Sequence, residues 1–340
     1  MERVLDPSVA PRQRDRGLSL AAAFVAMIVI FCAAPFVAYP VFLMKALCFS
    51  LFACAFNLLI GYVGLISFGH AMFFGWASYV TAYVAKVGSL SIPFWFGHPM
   101  WLVIPLPQTP EVAILVGTLT AALLGYVAGI VAIRRQGIYF AMITLALSQM
   151  LYFFALQAKF TGGEDGIQGV QRGFLFGMFD LSNETTMYLF VMVVVVAGFL
   201  LIYRIINSPF GEVLKAIREN EQRTISLGYQ TERYKLVAFV LSAALAGLAG
   251  SLKALVFQLA SLTDVHWTMS GDVVLMTLLG GLGTVFGPVV GAFVVVAMQN
   301  YLAPFGQWVL VIQGAIFVVC VLVFRRGIVG ELARLLRVQL

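Results

Sequence analysis

The stretch SPFGEVLKAIRENEQRTISLGY, residues 208–229, is charged and has a helical pattern, yet it lies between segments apolar enough for lipid. Ser208 and Pro209 form a favourable helix start, because the hydroxyl caps free N–H groups and proline fits the first turn. Gly228 is a natural stop, since glycine readily adopts the left-handed conformation after a last turn. The pattern predicts one amphipathic helix over 208–228, too charged to cross a membrane. Its apolar stripe recurs at three-to-four spacing and contains Phe210, Val213, Leu214, Ile217, Thr224 and Ile225.

Three roles fit this amphipathic helix. Either it lies in the lipid headgroups, or it is a plain connector, or it docks into a groove on a cytoplasmic partner. The balance of charges favours docking, because a membrane-surface helix is usually richer in unpaired Lys and Arg. The acids Glu212, Glu219 and Glu221 are matched by Lys215, Arg218 and Arg223.

The flanking sequence is that of a membrane protein. Of 340 residues, 61% are hydrophobic and 11% charged, whereas a soluble domain is about half apolar and about a quarter charged. Apolar runs of about 18 residues or more can cross about 30 Å of hydrocarbon. We therefore predict an all-α, polytopic membrane helical bundle of eight to ten transmembrane helices, since eight spans plus a re-entrant hairpin would fit as well as ten. The ten predicted spans are 18–39, 41–60, 64–86, 111–133, 138–158, 187–204, 235–258, 272–286, 288–303 and 307–324.

The basic residues are distributed unevenly along the chain. Sixteen of the 21 Lys and Arg fall in the N-terminal tail, Arg134–Arg135, the stretch from Arg204 to Lys235, and the tail after Val323. Ten spans place these four segments on one side, which the positive-inside rule assigns to the cytoplasm. We expect cytoplasmic tails at 1–17 and 325–340 on either side of a transmembrane domain at 18–324. The net charge of +6 then reflects topology, and we do not expect nucleic-acid binding.

Glycine-rich segments interrupt the third predicted span and the eighth and ninth spans. These glycines either allow close helix packing, or mark broken spans whose free backbone groups face a cavity. Because two glycine-interrupted segments in the two halves of a chain point to a translocation pathway, we regard these residues as pathway candidates. His70 and Gln149 are polar residues in predicted spans that either line this pathway or bond a neighbouring helix. The glycine candidates are Gly64, Gly69, Gly280, Gly281 and Gly283.

The sequence lacks the residues that several classes of protein need for their function. The sequence contains no GxxxxGK[ST] phosphate-binding loop, no HExxH zinc motif and no evident Ser/His pairing, so we expect no catalytic residues. The four cysteines lie in apolar runs, and we expect neither a metal site nor a cofactor in this chain. Ion-coupled carriers usually need buried acids, yet no acid lies deep in a predicted span unless Asp272 does. A self-sufficient ion-coupled carrier is therefore disfavoured.

Four stretches carry a resemblance to a known family. AIRENEQRTISLGYQTERYKLVAFVLSAALAGLAGSL (216–252) resembles the coupling-loop region of branched-chain amino acid ABC transporter permeases of the LivM type. GYVGLISFGHAMFFGWASYVTA (61–82) and LLGGLGTVFGPVVGA (278–292) resemble that family's early and late glycine-rich segments, and TGGEDGI (161–167) resembles its outer-loop motif. The matches occur in the expected order over roughly residues 45–330.

The resemblance implies a permease subunit of an ATP-driven importer of branched-chain amino acids in the bacterial cell inner membrane, not an enzyme. Expected partners are a second homologous permease of the LivH type, two cytoplasmic ABC ATPase subunits that bind ATP and Mg, a periplasmic substrate-binding protein and membrane lipid. Urea, short amides or aromatic acids are alternative substrates, because related permeases carry them. An ion-coupled secondary transporter is the less favoured alternative.

The resemblance also implies that residues 208–228 are a coupling helix that inserts into a groove of the ATPase. The family's loop is similar to Glu-x-Ala-Ala-x-x-x-Gly. This chain keeps Glu221 and Gly228 at that spacing but has Arg223-Thr224 in place of the two alanines, which puts the docking geometry in question. The coupling residues implied are Leu214, Ile217, Arg218, Glu219, Glu221, Arg223 and Gly228.

Overall fold

The computed structural model describes residues 24–36, 38–87, 89–96, 98–105, 109–135, 137–306, 308–323 and 327–335. The predicted N-terminal tail at 1–17, the start of the first span and parts of the C-terminal tail lie outside these residues. The helices are α1 Phe24–Phe36, α2 Pro40–Tyr62, α3 His70–Val87, α4 Pro110–Ala132, α5 Ile138–Gln157, α6 Glu184–Ile206, α7 Pro209–Glu219, α8 Glu221–Ser226, α9 Thr231–Phe257, α10 Trp267–Gly280, α11 Gly287–Tyr301, α12 Trp308–Val323 and α13 Gly327–Leu335. Short 3-10 turns are Ala34–Phe36, Lys159–Thr161, Leu262–Asp264 and Ala303–Phe305.

The prediction of a polytopic helical membrane protein is confirmed. In the described chain, each predicted span overlaps a helix, and five helices are long and apolar enough to cross a membrane: α2, α4, α5, α6 and α9. α10 and α11 contain 14 and 15 residues, about 21 and 22 Å at about 1.5 Å per residue. Each is therefore shorter than the roughly 30 Å of hydrocarbon.

α2 lies at the centre of the bundle and packs against α6, α9, α10 and α11. Its most apolar window is 89% buried, whereas the corresponding windows of α4, α5 and α6 are only 33%, 28% and 33% buried. Leu119, Met150 and Val193 are examples of large apolar side chains exposed on these outer helices. Such surfaces are stable only against lipid or another apolar surface, so α4, α5 and α6 form the outside of the bundle.

Small residues hold α9 against α3 and α4. A Cβ added to Gly250 of α9 would collide with the main chain of Phe74 in α3, and one on Gly247 would collide with Ala121 in α4. Membrane helices associate by close van der Waals packing, which small residues permit. These contacts therefore fix α9 in the interior, where it carries several of the polar residues described below.

The two ends of the bundle differ. One end, which we call the basic end, holds residues 63–69, the turn at Arg134–Arg135, α7 and α8, residues 281–286 and α13. The opposite, distal end holds antiparallel strand pairs in the connections between predicted spans. The strand pairs are β1 Ser89–Phe96 with β2 His98–Pro105, β3 Ile167–Gln168 with β6 Leu259–Ala260, and β4 Phe174–Leu175 with β5 Phe179–Asp180.

Candidate functional site at the basic end

The predicted single helix at 208–228 is in fact two helices, α7 and α8, so that prediction is wrong in its continuity. The predicted ends are correct: Ser208 Oγ accepts a hydrogen bond from Gly211 N, and Gly228 has a φ of 91°. The break is at Asn220, whose backbone is extended and whose side-chain oxygen accepts from Arg223 N at 3.0 Å. Asparagine is a favoured N-cap, so Asn220 was the overlooked sequence signal.

The apolar stripe of α7 faces this chain's own bundle. Leu214 is 0% exposed and Ile217 is 4% exposed, and α7 packs against α2, α6 and α9. Both residues were predicted to fill a groove on the ATPase, but they are already buried here. The predicted role of these two residues in docking therefore has to be revised to a role in seating α7 on the bundle.

Arg218 also points inward, towards two glycine segments. Its guanidinium donates a hydrogen bond from Nη1 to the main-chain oxygen of Gly61, at the end of α2. Added Cβ atoms at Gly64 and Gly283 would lie 3.2 Å from Arg218 Cγ and 3.1 Å from Arg218 Nη1. The arginine side chain therefore occupies space that only glycines leave free, between the α2–α3 connection and the α10–α11 connection.

Glu221, the first residue of α8, is held by α9. Lys235 Nζ donates to Glu221 Oε1 at 2.5 Å, and Thr231 Oγ1 donates to the same oxygen at 3.1 Å. Lys235 is 4% exposed. Moving a charged group out of water costs roughly several kcal/mol per ion unless it is paired with an opposite charge. The pair therefore anchors α8 to α9 and leaves the Glu221 carboxylate directed into the chain.

A cavity of about 240 Å³ lies beside these two inward contacts. The residues around it come from the α2–α3 connection, from the turn that precedes α5, and from the three helices α7, α8 and α9. This arrangement brings five parts of the chain together at the basic end. The lining residues are Val63, Gly64, Leu65, Gly137, Ile217, Arg218, Glu221 and Lys235.

Asn57 joins α2 to the second glycine segment. Its Nδ2 donates to the Thr284 main-chain oxygen at 2.9 Å, and its Oδ1 accepts from Gly283 N at 3.0 Å. Gly283 has a φ of 73°, which favours glycine. Both backbone groups lie in the non-helical segment 281–286, so this side chain supplies the hydrogen bonds that a broken span needs.

The other predicted glycines pack backbone against backbone. A Cβ on Gly280 would collide with the main-chain oxygen of Gly287, which brings α10 and α11 into direct contact. Gly281 lies against Gly327 of α13. Gly69 precedes α3, and a Cβ on it would lie 3.1 Å from Thr144 Cβ in α5. These three glycines therefore act as sites of close packing, and 63–69 and 281–286 are the two interruptions.

His70 places the start of α3 deep in the bundle. The Nε2 atom of His70 is 2.8 Å from Ser242 Oγ. Ser242 lies in the middle part of the 27-residue α9, eleven residues after its first residue, Thr231. Ser242 Oγ donates to the Ala55 oxygen at 2.5 Å, so it accepts from an Nε2–H tautomer of His70. The ring is 0% exposed and its Nδ1 has no partner among the described residues. α3 therefore begins inside the membrane domain rather than at its edge.

The remaining candidates lie on the periphery. Gln149 is half-buried on α5, five residues beyond Thr144. Glu219 is exposed at the end of α7. The exposed residues of α8 and the turn after it define what we call the α8 face, and it contains three apolar residues: Ile225, 46% exposed, Leu227, 70%, and Tyr229, 43%. Arg223 and Gly228 belong to the same face.

Buried charges in the distal half were missed from the sequence. Lys253 Nζ donates to Asp264 Oδ2 at 2.6 Å, and these residues are only 8% and 2% exposed. Asp264 lies in the connection after α9, outside the predicted spans, and is buried because this segment folds back against α3 and α9. Among the described residues, no group of three or more His, Cys, Asp and Glu could hold a metal ion.

Comparisons with known proteins all find transport permeases. The family described as "Branched-chain amino acid transport system / permease component" matches residues 38–321. The high-affinity branched-chain amino acid transport system permease protein LivM of Escherichia coli is 26% identical over 285 residues, which cover 77% of this chain and 63% of that protein. The probable branched-chain amino acid transport permease protein LivM of Methanocaldococcus jannaschii is 28% identical over 203 residues, 55% of each chain.

A more distant similarity extends to a differently named permease. The probable LivH protein of Methanocaldococcus jannaschii is 27% identical over 126 residues, 35% of this chain and 37% of that protein. The chain therefore spans less than two thirds of the length of the curated relatives it matches. No solved structure matches it.

Proposed function

The chain belongs to the branched-chain amino acid transport system permease family, and from this membership we propose that it is a permease subunit of an ATP-driven importer of branched-chain amino acids. The names of its relatives support this substrate class. The importer would carry its substrate across the bacterial inner membrane, and this chain would perform no catalysis itself.

The importer needs further subunits to work. The sequence contains no phosphate-binding loop, so ATP and Mg would bind to two cytoplasmic ATPase subunits. A periplasmic binding protein would deliver the substrate. The similarity to a LivH protein supports a second, homologous permease as partner, and the exposed apolar surfaces of α4, α5 and α6 are suited to lipid or to that second permease.

The orientation in the membrane follows from the basic residues. The described basic segments, Arg134–Arg135 and the stretch from Arg204 to Lys235, lie at one end of the bundle, since Gly137, Arg218 and Lys235 line one cavity. Under the positive-inside rule this end faces the cytoplasm. The strand-containing connections and the distal end would then face the periplasm, and the chain would end in cytoplasmic tails.

One observation carries the proposed mechanism: Arg218 sits between two glycine interruptions while the α8 face next to it is exposed. In this mechanism the α8 face docks on an ATPase subunit through Ile225, Leu227 and Tyr229. Movement of α8 is passed to the bundle through the Glu221–Lys235 pair and through Arg218. The interruptions at 63–69 and 281–286 then shift together, because Arg218 lies against both and Asn57 ties the second to α2.

Reconstitution tests the proposed function. The chain is co-expressed with the second permease, the ATPase subunits and the binding protein, and the purified complex is placed in proteoliposomes. We expect ATP-dependent uptake of leucine, isoleucine and valine that requires the binding protein. Uptake of urea or a short amide in preference to these amino acids would reassign the substrate, and uptake without any ATPase subunit would refute the ATP-driven mechanism.

A further inference from the structure

Four polar residues lie at a similar depth in the distal half of the bundle, each on a different helix. Lys45 is five residues after Pro40 in α2, Asp272 five after Trp267 in α10, and Gln313 five after Trp308 in α12. Gln299 is two residues before Tyr301, at the end of α11. At about 1.5 Å per residue, each lies within about 8 Å of the distal end of its helix. We call these four residues the distal polar cluster.

The helices that carry the cluster are packed together through α10 and α11. α2 packs against α10 and α11, and α12 packs against α10 and α11. Gln299 Nε2 donates to Asp272 Oδ2 at 3.1 Å. The charge of Lys45 interacts with that of Asp272 and with those of the neighbouring Lys253 and Asp264. The four side chains therefore converge on one region of the membrane domain.

The two charges of the cluster are not paired with each other. Lys45 and Asp272 form no direct ion pair with any described residue, although both are half-buried. Gln313 is 4% exposed and its side chain lies beside the Asp272 carboxylate, as that of Gln299 does. Unpaired charges are costly at membrane depth and mark functional positions.

The neighbouring ion pair shows what a satisfied arrangement looks like. Lys253 and Asp264 lie 2.6 Å apart, and Asp264 also accepts from Ser261 N at 3.2 Å. That pair needs no further ligand. In the distal polar cluster, by contrast, an ammonium and a carboxylate are close together but not joined, and two amides lie beside them.

An amino acid in its zwitterionic form has the complementary charges. We propose that the distal polar cluster is a transient binding site for the head group of a zwitterionic amino acid, with Lys45 binding its α-carboxylate and Asp272 its α-ammonium group. Gln299 and Gln313 flank the Asp272 carboxylate and hold it in place. This site rests on the proposed function and adds the part of the substrate that the permease recognises.

The test measures binding to the complete complex, assembled with its ATPase subunits and second permease in lipid nanodiscs without binding protein. The ligands are leucine, leucinamide, which lacks the carboxylate, and 4-methylpentanoate, which lacks the ammonium group. Loss of one charge-assisted contact costs about tenfold or more in affinity, so we expect leucine to bind at least about tenfold more tightly than either analogue.

Two variants assign the contacts. Lys45→Gln is expected to bind leucine and leucinamide equally, and Asp272→Asn to bind leucine and 4-methylpentanoate equally. The control is Lys86→Gln, which removes an exposed charge at the distal end of α3 and should keep the wild-type ratios. A variant that had merely become unstable would lose all three ligands alike, not one preference selectively.

Several results would overturn the site. They are a wild-type complex that binds the three ligands alike or binds none, variants that retain wild-type preferences, and variants that assemble with the wild-type Tm yet lose all ligands equally. Uptake whose dependence on a proton gradient disappears in Asp272→Asn would identify a proton site instead. Failure of the proposed function is a separate result, because then the wild-type complex with binding protein and ATP would import no leucine at all.

Discussion

Arg218 in α7 donates a hydrogen bond to the main-chain oxygen of Gly61 in α2, 157 residues earlier in the chain. The contact joins the amphipathic helix at the basic end to the first of the two glycine interruptions. Gly283, from the second interruption, lies beside the same guanidinium. A single side chain thus contacts both interrupted segments, and it does so from the helix next to the exposed α8 face.

Arg218→Gln should uncouple transport from ATP hydrolysis. The shorter, neutral side chain cannot reach Gly61 as Arg218 does, and a hydrogen bond from a charged group is worth about 1.5–3 kcal/mol. We expect leucine uptake to fall at least about tenfold, while the ATPase subunits still co-purify and still hydrolyse ATP. The control is Lys215→Gln on the same helix, whose ammonium pairs with the exposed Glu212. Loss of ATPase co-purification in Arg218→Gln would instead make Arg218 a docking residue.

The α8 face should bind the ATPase subunit. Ile225→Asp or Leu227→Asp places a charge on a side chain that is 46% or 70% exposed in the isolated chain, so the permease itself should fold normally. We expect co-purification of the ATPase subunits to be lost, because burying an unpaired charge in an apolar interface costs roughly several kcal/mol. Unchanged co-purification in both variants would place the docking surface elsewhere.

Glu221→Gln should destabilise the chain. It leaves the buried Lys235 without its carboxylate partner, and removing one partner of a buried pair costs about 3–5 kcal/mol. We expect a clear drop in the Tm of the detergent-solubilised protein. Glu212→Gln is the matched control, because it removes a carboxylate from an exposed pair worth at most about 1 kcal/mol. Equal Tm values for the two variants would show that the Glu221 pair does not anchor α8.

Gly280→Ala should disrupt the contact between α10 and α11. The added methyl group would collide with the Gly287 main-chain oxygen, and overpacking of this kind costs about 1–3 kcal/mol. We expect a lower Tm and reduced yield of assembled permease. Gly271→Ala, also in α10, adds its methyl group where no heavy atom lies within 4 Å and should leave the Tm unchanged. The prediction fails if the two variants behave alike.

The sequence predicted the helices better than it predicted their contacts. Long apolar runs reveal spans, because each span is a local feature about 18 residues or more in length. Ser208 and Gly228 were recognised as helix ends because caps are also local signals. Asn220 carries the same kind of signal but was overlooked within a charged run that fits a helical pattern.

The direction in which a side chain points could not be predicted in the same way. Arg218 and Glu221 were expected to couple to the ATPase, yet the polar ends of both side chains bond to this chain. Their partners, Gly61 and Lys235, lie 157 and 14 residues away. Asp264 lies between two predicted spans, yet the chain after α9 turns back and buries it against Lys253. Such contacts depend on how spans pack, which the periodicity of one segment does not encode.

The shortness of α10 and α11 has a consequence for how the protein is made. Neither helix alone has the length at which a segment is stable across the bilayer, yet together they form a pair joined backbone to backbone at Gly280 and Gly287. Their burial against α2 gives them a protein surface in place of part of the lipid. The pair therefore has to leave the insertion machinery as a unit, and only after α2 is in place to receive it.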